Sequence, residues 1–181
     1  VRLPGVIHLA CFHDDVQTVA SWLDCGVPVD AEWSFPLARM EDVPSFYCKR
    51  FATGTMLKLA ALQPSHRVAA LLIERNASID KRDKEGSTPL MYACIPEDSR
   101  AALLLLNAGA DLAVRNHEKD SVMDFAYGIG KHKHRVVLLA RFAFRAPGGR
   151  VPWDIPRPIT ESIEADDAQA IGEWLDLGLP L

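Results

Sequence analysis

Residues 83–116, DKEGSTPLMYACIPEDSRAALLLLNAGADLAVRN, decide the fold. Lys84-Glu85-Gly86 is a turn signal. Thr88 then suits a helix N-cap and Pro89 the first helical position, because the proline ring presets φ and its missing N–H would have no partner there. A short apolar helix is expected over Leu90–Ile95, broken by Pro96-Glu97-Asp98. A second, almost wholly apolar helix is expected from about Ser99 to Asn107. It stops at Ala108-Gly109, with glycine where a left-handed C-cap is needed. Turn, helix, turn, helix and a return to the same turn make a unit that can be stacked.

Sliding the sequence by 33 residues tests this. Thr55-Met56-Leu57-Lys58-Leu59-Ala60-Ala61 falls on Thr88-Pro89-Leu90-Met91-Tyr92-Ala93-Cys94, and Asn76-Ala77-Ser78-Ile79 falls on Gly109-Ala110-Asp111-Leu112. In the other direction, Lys119 to Ala126 falls on Gly86 to Ala93. Three consecutive registers at one period mark a repeat array.

The motifs TPLMYAC and NAGADLAVRN resemble those of the ankyrin-repeat family, whose unit has 33 residues and opens on T-P-L-H-x-A. The resemblance implies an all-α solenoid of stacked helix-turn-helix units with short turn or hairpin loops. The family's histidine, which helps tie neighbouring units together, is replaced by Lys58, Met91 and Asp124 in three successive units, while His8 occupies that position in the first. WLDCGVPV at 22–29 matches WLDLGLPL at 174–181, so both ends extend the array. About five units are expected, near 4–30, 50–82, 83–115, 116–146 and 156–181, the last incomplete.

Two interruptions break the period. From Gly26 to Leu57 the chain advances 31 residues, against 14 from Gly109 to Met123, which leaves 17 extra within an insertion at about 31–53. It is rich in aromatics: Trp33, Phe35, Phe46, Tyr47 and Phe51. Insertions in such arrays emerge from loops, often on the binding face; the alternative is a loop that covers the first two units. The second interruption runs from His132 to Pro158, where RVVLLARFAFR replaces the expected turn and a Pro/Gly-rich connection follows at about 146–157. The core is expected from small residues in the first helices (Ala10, Ala60, Ala93, Ala126) and from large apolar ones in the second helices, such as Leu72 and Leu105. One unit alone buries too little, so its neighbours must supply the other face.

Composition sets the remaining bounds. At 49% hydrophobic and 24% charged residues, the chain has enough apolar content for a packed core. A net charge of −4 argues against nucleic-acid binding, which is driven by neutralisation of phosphate. No apolar run is long enough to insert in a membrane. The chain opens VRLP with no secretory leader and no Met, which points to a piece of a larger protein with further domains. Cys11, Cys25, Cys48 and Cys94 form no CxxC pair; a reduced, cytoplasmic or nuclear setting is expected.

No constellation carries chemistry. Cys11 and Cys94 share a repeat position with Ala61, Tyr127 and Ile163, which favours buried packing over nucleophilicity. His132 and His134 in the basic run 131–135 do not share a helix face, as a metal pair would require. Gly128-Ile129-Gly130-Lys131 lacks the upstream glycine and the Ser/Thr of a phosphate loop. Asp14-Asp15 and Asp166-Asp167 precede second helices, where carboxylates complement the helix dipole. No catalytic residue, cofactor or metal is therefore expected.

The resemblance implies recognition of another protein or peptide without catalysis. By repeat register, the contact residues are expected at the turns (Lys84, Glu85, Ser87, His117, Glu118, Asp120) and at exposed positions late in the first helices (Phe12, His13, Leu62, Gln63, Ile95, Pro96). Trp33, Phe35, Phe46 and Tyr47 of the insertion join them, aromatics being favoured interface anchors. The expected role is a targeting or scaffolding region of a larger protein; the alternative is a stand-alone inhibitor or immunity-type protein that blocks an enzyme.

Overall fold

The structure is a computed structural model in which residues 5–34, 53–96, 98 and 100–128 are described. The later part of the expected fourth unit, the fifth unit, the 132–158 interruption and most of the insertion, with Phe35, Phe46 and Tyr47, lie outside the described residues. The elements in order are α1 (Gly5–Phe12), α2 (Val16–Asp24), β1 (Glu32–Ser34), β2 (Thr53–Thr55), α3 (Met56–Leu62), α4 (His66–Glu74), α5 (Pro89–Ala93), α6 (Arg100–Asn107) and α7 (Val122–Gly128).

First helices pack on first helices, α1 on α3, α3 on α5 and α5 on α7. Second helices pack on second helices, α2 on α4 and α4 on α6. The result is an all-α repeat solenoid of two parallel rows, to which β1 and β2 add one short antiparallel ribbon. A single apolar cluster runs through it, with Leu57, Leu72, Leu90, Leu105 and Phe125 among its members. Ala10, Ala60, Ala93 and Ala126 are all buried, and their small side chains let neighbouring first helices approach closely.

Local chemistry explains where the helices begin and end. Thr55 caps α3 by accepting the Lys58 N–H at 3.2 Å. Asp15 caps α2 by accepting the Thr18 N–H at 3.1 Å, while Asp14 reaches into the next unit and accepts the Val68 N–H of α4 at 2.8 Å. That second bond stands in for Ser65, the N-cap of α4, whose own side chain makes no cap bond. At α7, Ser121 and Asp124 satisfy each other's backbone N–H groups in a capping box. Thr88 occupies the N-cap of α5 with extended geometry but makes no side-chain cap bond; Pro89 opens the helix as expected. The helix expected over Leu90–Ile95 is shorter, because Cys94 and Ile95 donate to Met91 and Tyr92 three residues back in a tightened turn.

All three second helices close alike: Val27 bonds back to Trp22, Ala77 to Leu72 and Ala110 to Leu105. The left-handed residue that this closure needs is Gly109 at φ +88° in one unit and Asn76 at φ +61° in the unit before, asparagine being one of the few other residues that tolerates it.

A second bond repeats between units. Asp80 accepts the Asp111 N–H at 3.0 Å, and Asp30 accepts the Ser78 N–H at 3.0 Å. The first pair is 31 residues apart and the second 48, so the 17 extra residues of the insertion leave the stacking register unchanged. The β1–β2 ribbon explains how. It pairs Glu32 with Thr55, Trp33 with Gly54 and Ser34 with Thr53, so the insertion leaves and returns at one place.

Leu105 is fully buried between α6 and its neighbours. Leu105→Ala is expected to lower the unfolding free energy by about 2–5 kcal/mol, read from equilibrium denaturation; an unshifted curve would remove this packing assignment.

Candidate functional site

The turn that opens the third unit carries a carboxylate, Asp83, that accepts four hydrogen bonds. Asp83 Oδ1 accepts the N–H groups of Glu85 at 3.0 Å and Ser87 at 2.9 Å, which folds the turn. Asp83 Oδ2 accepts the Tyr92 hydroxyl at 2.7 Å and the Lys58 ammonium at 2.5 Å. Lys58 comes from α3 of the preceding unit, so this is an ion pair between units, with side chains only 4% and 3% exposed. The ammonium also lies 4.4 Å from the centre of the Tyr92 ring. Tyr92 in turn meets Phe125 of α7 edge to face at 5.9 Å, so one chain of contacts joins three units.

Burial pulls the Lys58 ammonium below the usual lysine range, against the hydrogen bond and charge of Asp83. Burial alone would raise the Asp83 carboxyl; the hydrogen bonds from Lys58 and Tyr92 and the Lys58 charge outweigh it and hold the group below its usual value. Burial, with Asp83 beside it, pushes the Tyr92 hydroxyl up, so it stays a donor.

A cavity of about 200 Å³ opens beside this cluster. Glu32 and Gly54 of the ribbon form one wall, Thr55 and Lys58 the floor, and the turn residues Lys81 to Lys84 the other wall. Gly54 is required by close approach: a Cβ there would lie 2.5 Å from Cδ of Lys58, whose stem passes across it. Lys81 donates to the Asp30 carbonyl at 3.1 Å and pairs with Glu32 at 3.3 Å. Arg82 donates to the carbonyls of Gly86 at 2.9 Å and Arg115 at 2.5 Å, the latter in the next unit.

The expected contact residues divide by burial. Lys84, His117 and Glu118 are exposed along the turns, and the His117 N–H bonds to the Glu85 carbonyl at 2.9 Å. Glu85 and Asp120 are half-buried, and Asp120 is tied to Asn116 through its own N–H at 2.8 Å. Ser87 is buried inside the turn, so its expected exposure is corrected. Leu62 and Ile95 are corrected likewise: both are buried in the core cluster, because α3 and α5 each have a first helix packed on both sides, whereas α1 packs on α3 alone. Gln63 and Pro96 are half-buried, while Phe12 and His13 are exposed and stack edge to face at 5.3 Å. Trp33 lies on β1 opposite Gly54. Cys11 and Cys94 are both buried, and burial pushes the Cys11 thiol up to about 12, which leaves it unreactive. The cationic wall was missed in the sequence: KRDK at 81–84 is a shorter run than 131–135, and Lys58 joins it only through the fold.

Comparison with known proteins agrees with this architecture. The family described as ankyrin repeats, three copies, matches residues 7–116, more than half of the chain. The chain belongs to the ankyrin-repeat family. It is 36% identical over 92 residues to the ankyrin repeat and KH domain-containing protein mask of Drosophila melanogaster, a match covering 50% of this chain and 2% of that protein. Inversin of Mus musculus is 34% identical over 73 residues, covering 40% of this chain and 7% of inversin. The NAD-capped RNA hydrolase NUDT12 of Macaca fascicularis is 29% identical over 123 residues, 68% of this chain and 23% of the hydrolase. The chain thus spans a small part of the length of the relatives it matches. Ankyrin repeats are in general protein–protein interaction modules, and typically not enzymes.

In this ankyrin array the family's histidine position is filled three ways. Lys58 reaches forward to Asp83. Met91, one repeat later, is buried in the core, and the residue equivalent to Asp83 is the neutral Asn116. Asn116 makes the same turn bonds: its Oδ1 accepts the Asp120 N–H at 2.8 Å and its N–H meets the Asp120 carbonyl at 3.0 Å. Where the preceding unit supplies a cation, the turn carries a carboxylate; where it supplies methionine, the turn carries an amide. Asp124, in the next unit, serves its own helix in the capping box.

Lys58→Met should strand the buried Asp83 carboxylate and cost about 3 kcal/mol in chemical denaturation. Adding Asp83→Asn, which copies the Met91–Asn116 pairing, should recover about 1–2 kcal/mol of that loss; a double variant no better than Lys58→Met would sink the pairing rule. The folded-state pKa of Asp83 lies below its unfolded value. Its contribution is therefore complete above the ordinary aspartate pKa of about 3.9 and is lost as pH falls through the lower folded value. Denaturation midpoints followed from about pH 6 to about pH 2 should fall less steeply in Asp83→Asn than in the parent.

Proposed function

We propose that the array binds a protein partner along the surface formed by its turns and first helices, together with the aromatic insertion, as a targeting or scaffolding region of a larger protein. The observation that carries this reading is the alignment of exposed Lys84, His117 and Glu118 on successive turns, in line with the ribbon from which the insertion departs. Solenoids use such continuous surfaces for binding. Trp33, Phe35, Phe46 and Tyr47 enter as anchors on sequence alone. The matches to short parts of long relatives support a role inside a larger chain. No catalytic role is part of this reading, which is in keeping with the buried Cys11 and Cys94 packing in the core and the Lys58–Asp83 pair holding two units together. A cytoplasmic location, with the nucleus as the alternative, is part of the same reading, which involves neither nucleic acid nor membrane insertion.

The test is affinity capture with three forms of the protein, followed by reconstitution with the purified partner. The parent should retain the partner. Replacing 35–52 by a short Gly-Ser linker, or converting Lys84, His117 and Glu118 together to alanine, should weaken binding by at least about tenfold, the effect expected from losing a cluster of interface contacts. A partner held equally well by all three forms would overturn the proposal.

A further inference from the structure

We infer that the cavity between the ribbon and the Lys81–Lys84 turn receives an aspartate or glutamate side chain from an acidic segment of the partner, an assignment that rests on the protein-binding reading above and specifies its chemistry. The charges around the cavity lead there. Its lining holds four cations, Lys58, Lys81, Arg82 and Lys84, against two carboxylates. Asp83 is engaged by Lys58 at 2.5 Å, and Glu32 faces Lys81 at 3.3 Å. Arg82 gives its hydrogen bonds to two uncharged carbonyls, and Lys84 has no partner among the described residues. Among the described residues that line the cavity, two positive charges are therefore left without a carboxylate partner at the rim, in a chain whose net charge is −4. A cavity whose lining carries an excess of positive charge concentrates the field there, so the group that completes it is an anion.

Size and donor count narrow the anion to a carboxylate. At about 200 Å³ the cavity is smaller than the roughly 300–1,000 Å³ of small-molecule sites and fits the end of one side chain. Arg82 spends Nε and one N–H of Nη2, its side edge, on two backbone carbonyls. What remains is its Nη1 end and the ammonium of Lys84, donors enough for the two oxygens of one carboxylate. Glu32 is the internal competitor. Its side chain is 66% exposed and its pairing with Lys81 is long, so it is weakly held and can yield to an incoming acid. The cavity also adjoins the ribbon, so an acidic segment seated here would lie beside the strand that carries Trp33.

The test uses a short fluorescein-labelled Gly/Ser peptide with a central run of glutamates, its glutamine counterpart, and fluorescence anisotropy on the full chain at low salt. The glutamate peptide should bind and the glutamine peptide should not. Lys84→Glu should weaken the glutamate peptide by about tenfold or more, and Glu32→Gln should tighten it several-fold by removing the competitor. Both side chains are exposed, so thermal melts of the two variants should match the parent. Equal binding of the two peptides, including none of either, would overturn the inference, as would a Lys84→Glu variant with unchanged affinity. A single-stranded RNA oligonucleotide that binds more tightly than the glutamate peptide, and is lost in Lys84→Glu, would overturn the acidic-peptide assignment. If the purified partner is lost when 35–52 is replaced but kept in full by Lys84→Glu, this site falls while the protein-binding reading stands.

Discussion

Asp83 holds the array together at the point where two units meet. Its carboxylate accepts two backbone N–H groups of its own turn, the hydroxyl of Tyr92 in its own helix and the ammonium of Lys58 from the unit before. Each of these donors satisfies one lone pair, so a charge that would be costly to bury becomes the node that sets the turn, the helix and the spacing of two units together. Neither unit could keep its charged partner buried alone. Lys58 without Asp83 would be an isolated ammonium in the core, and Asp83 without Lys58 an under-compensated carboxylate. The neighbouring junction solves the same problem without charge, through Met91 and Asn116.

The outer row of the solenoid carries the complementary set of bonds. Asp14, Asp30 and Asp80 each accept a backbone N–H from the following unit, so the register passes along the array through short, direct contacts. At Asp80, burial, with the nearby charge of Asp111, raises the pKa against the hydrogen bond from the Asp111 N–H. Because the Asp14 and Asp30 bonds span the insertion, the loop can vary without disturbing the stack. The ribbon at its base confines the disturbance to two facing strands of three residues each.

The same geometry distributes charge unevenly over the surface. The ribbon brings Glu32 and Gly54 against the turn that carries Lys81 to Lys84, leaving a cationic recess on an acidic chain. The recess exists because two structural demands coincide. Gly54 must lack a side chain to let Lys58 pass, and Arg82 must lie along the turn to reach the next unit's carbonyl. The lining of the recess and the packing between units thus share residues, Lys58, Arg82 and Asp83 among them.

The sequence by itself determined the period, the family and the helical repeat architecture. It could do so because Thr-Pro helix starts, glycine or asparagine C-caps and apolar spacing are local signals, read within one unit and multiplied by repetition. It also placed Lys84, His117 and Glu118 on turn positions that are exposed. What only the tertiary structure decided depends on neighbours. Leu62, Ile95 and Ser87 occupy positions that register alone leaves on the surface, yet units stacked on both sides of α3 and α5 enclose two of them and the Asp83 turn encloses the third. Lys58, read in sequence only as a departure from the family's histidine, acquired its role from Asp83, 25 residues away. A buried ion pair between units is a non-local fact: nothing in either residue's immediate sequence records that the other will be there, and only the stacking brings them within reach.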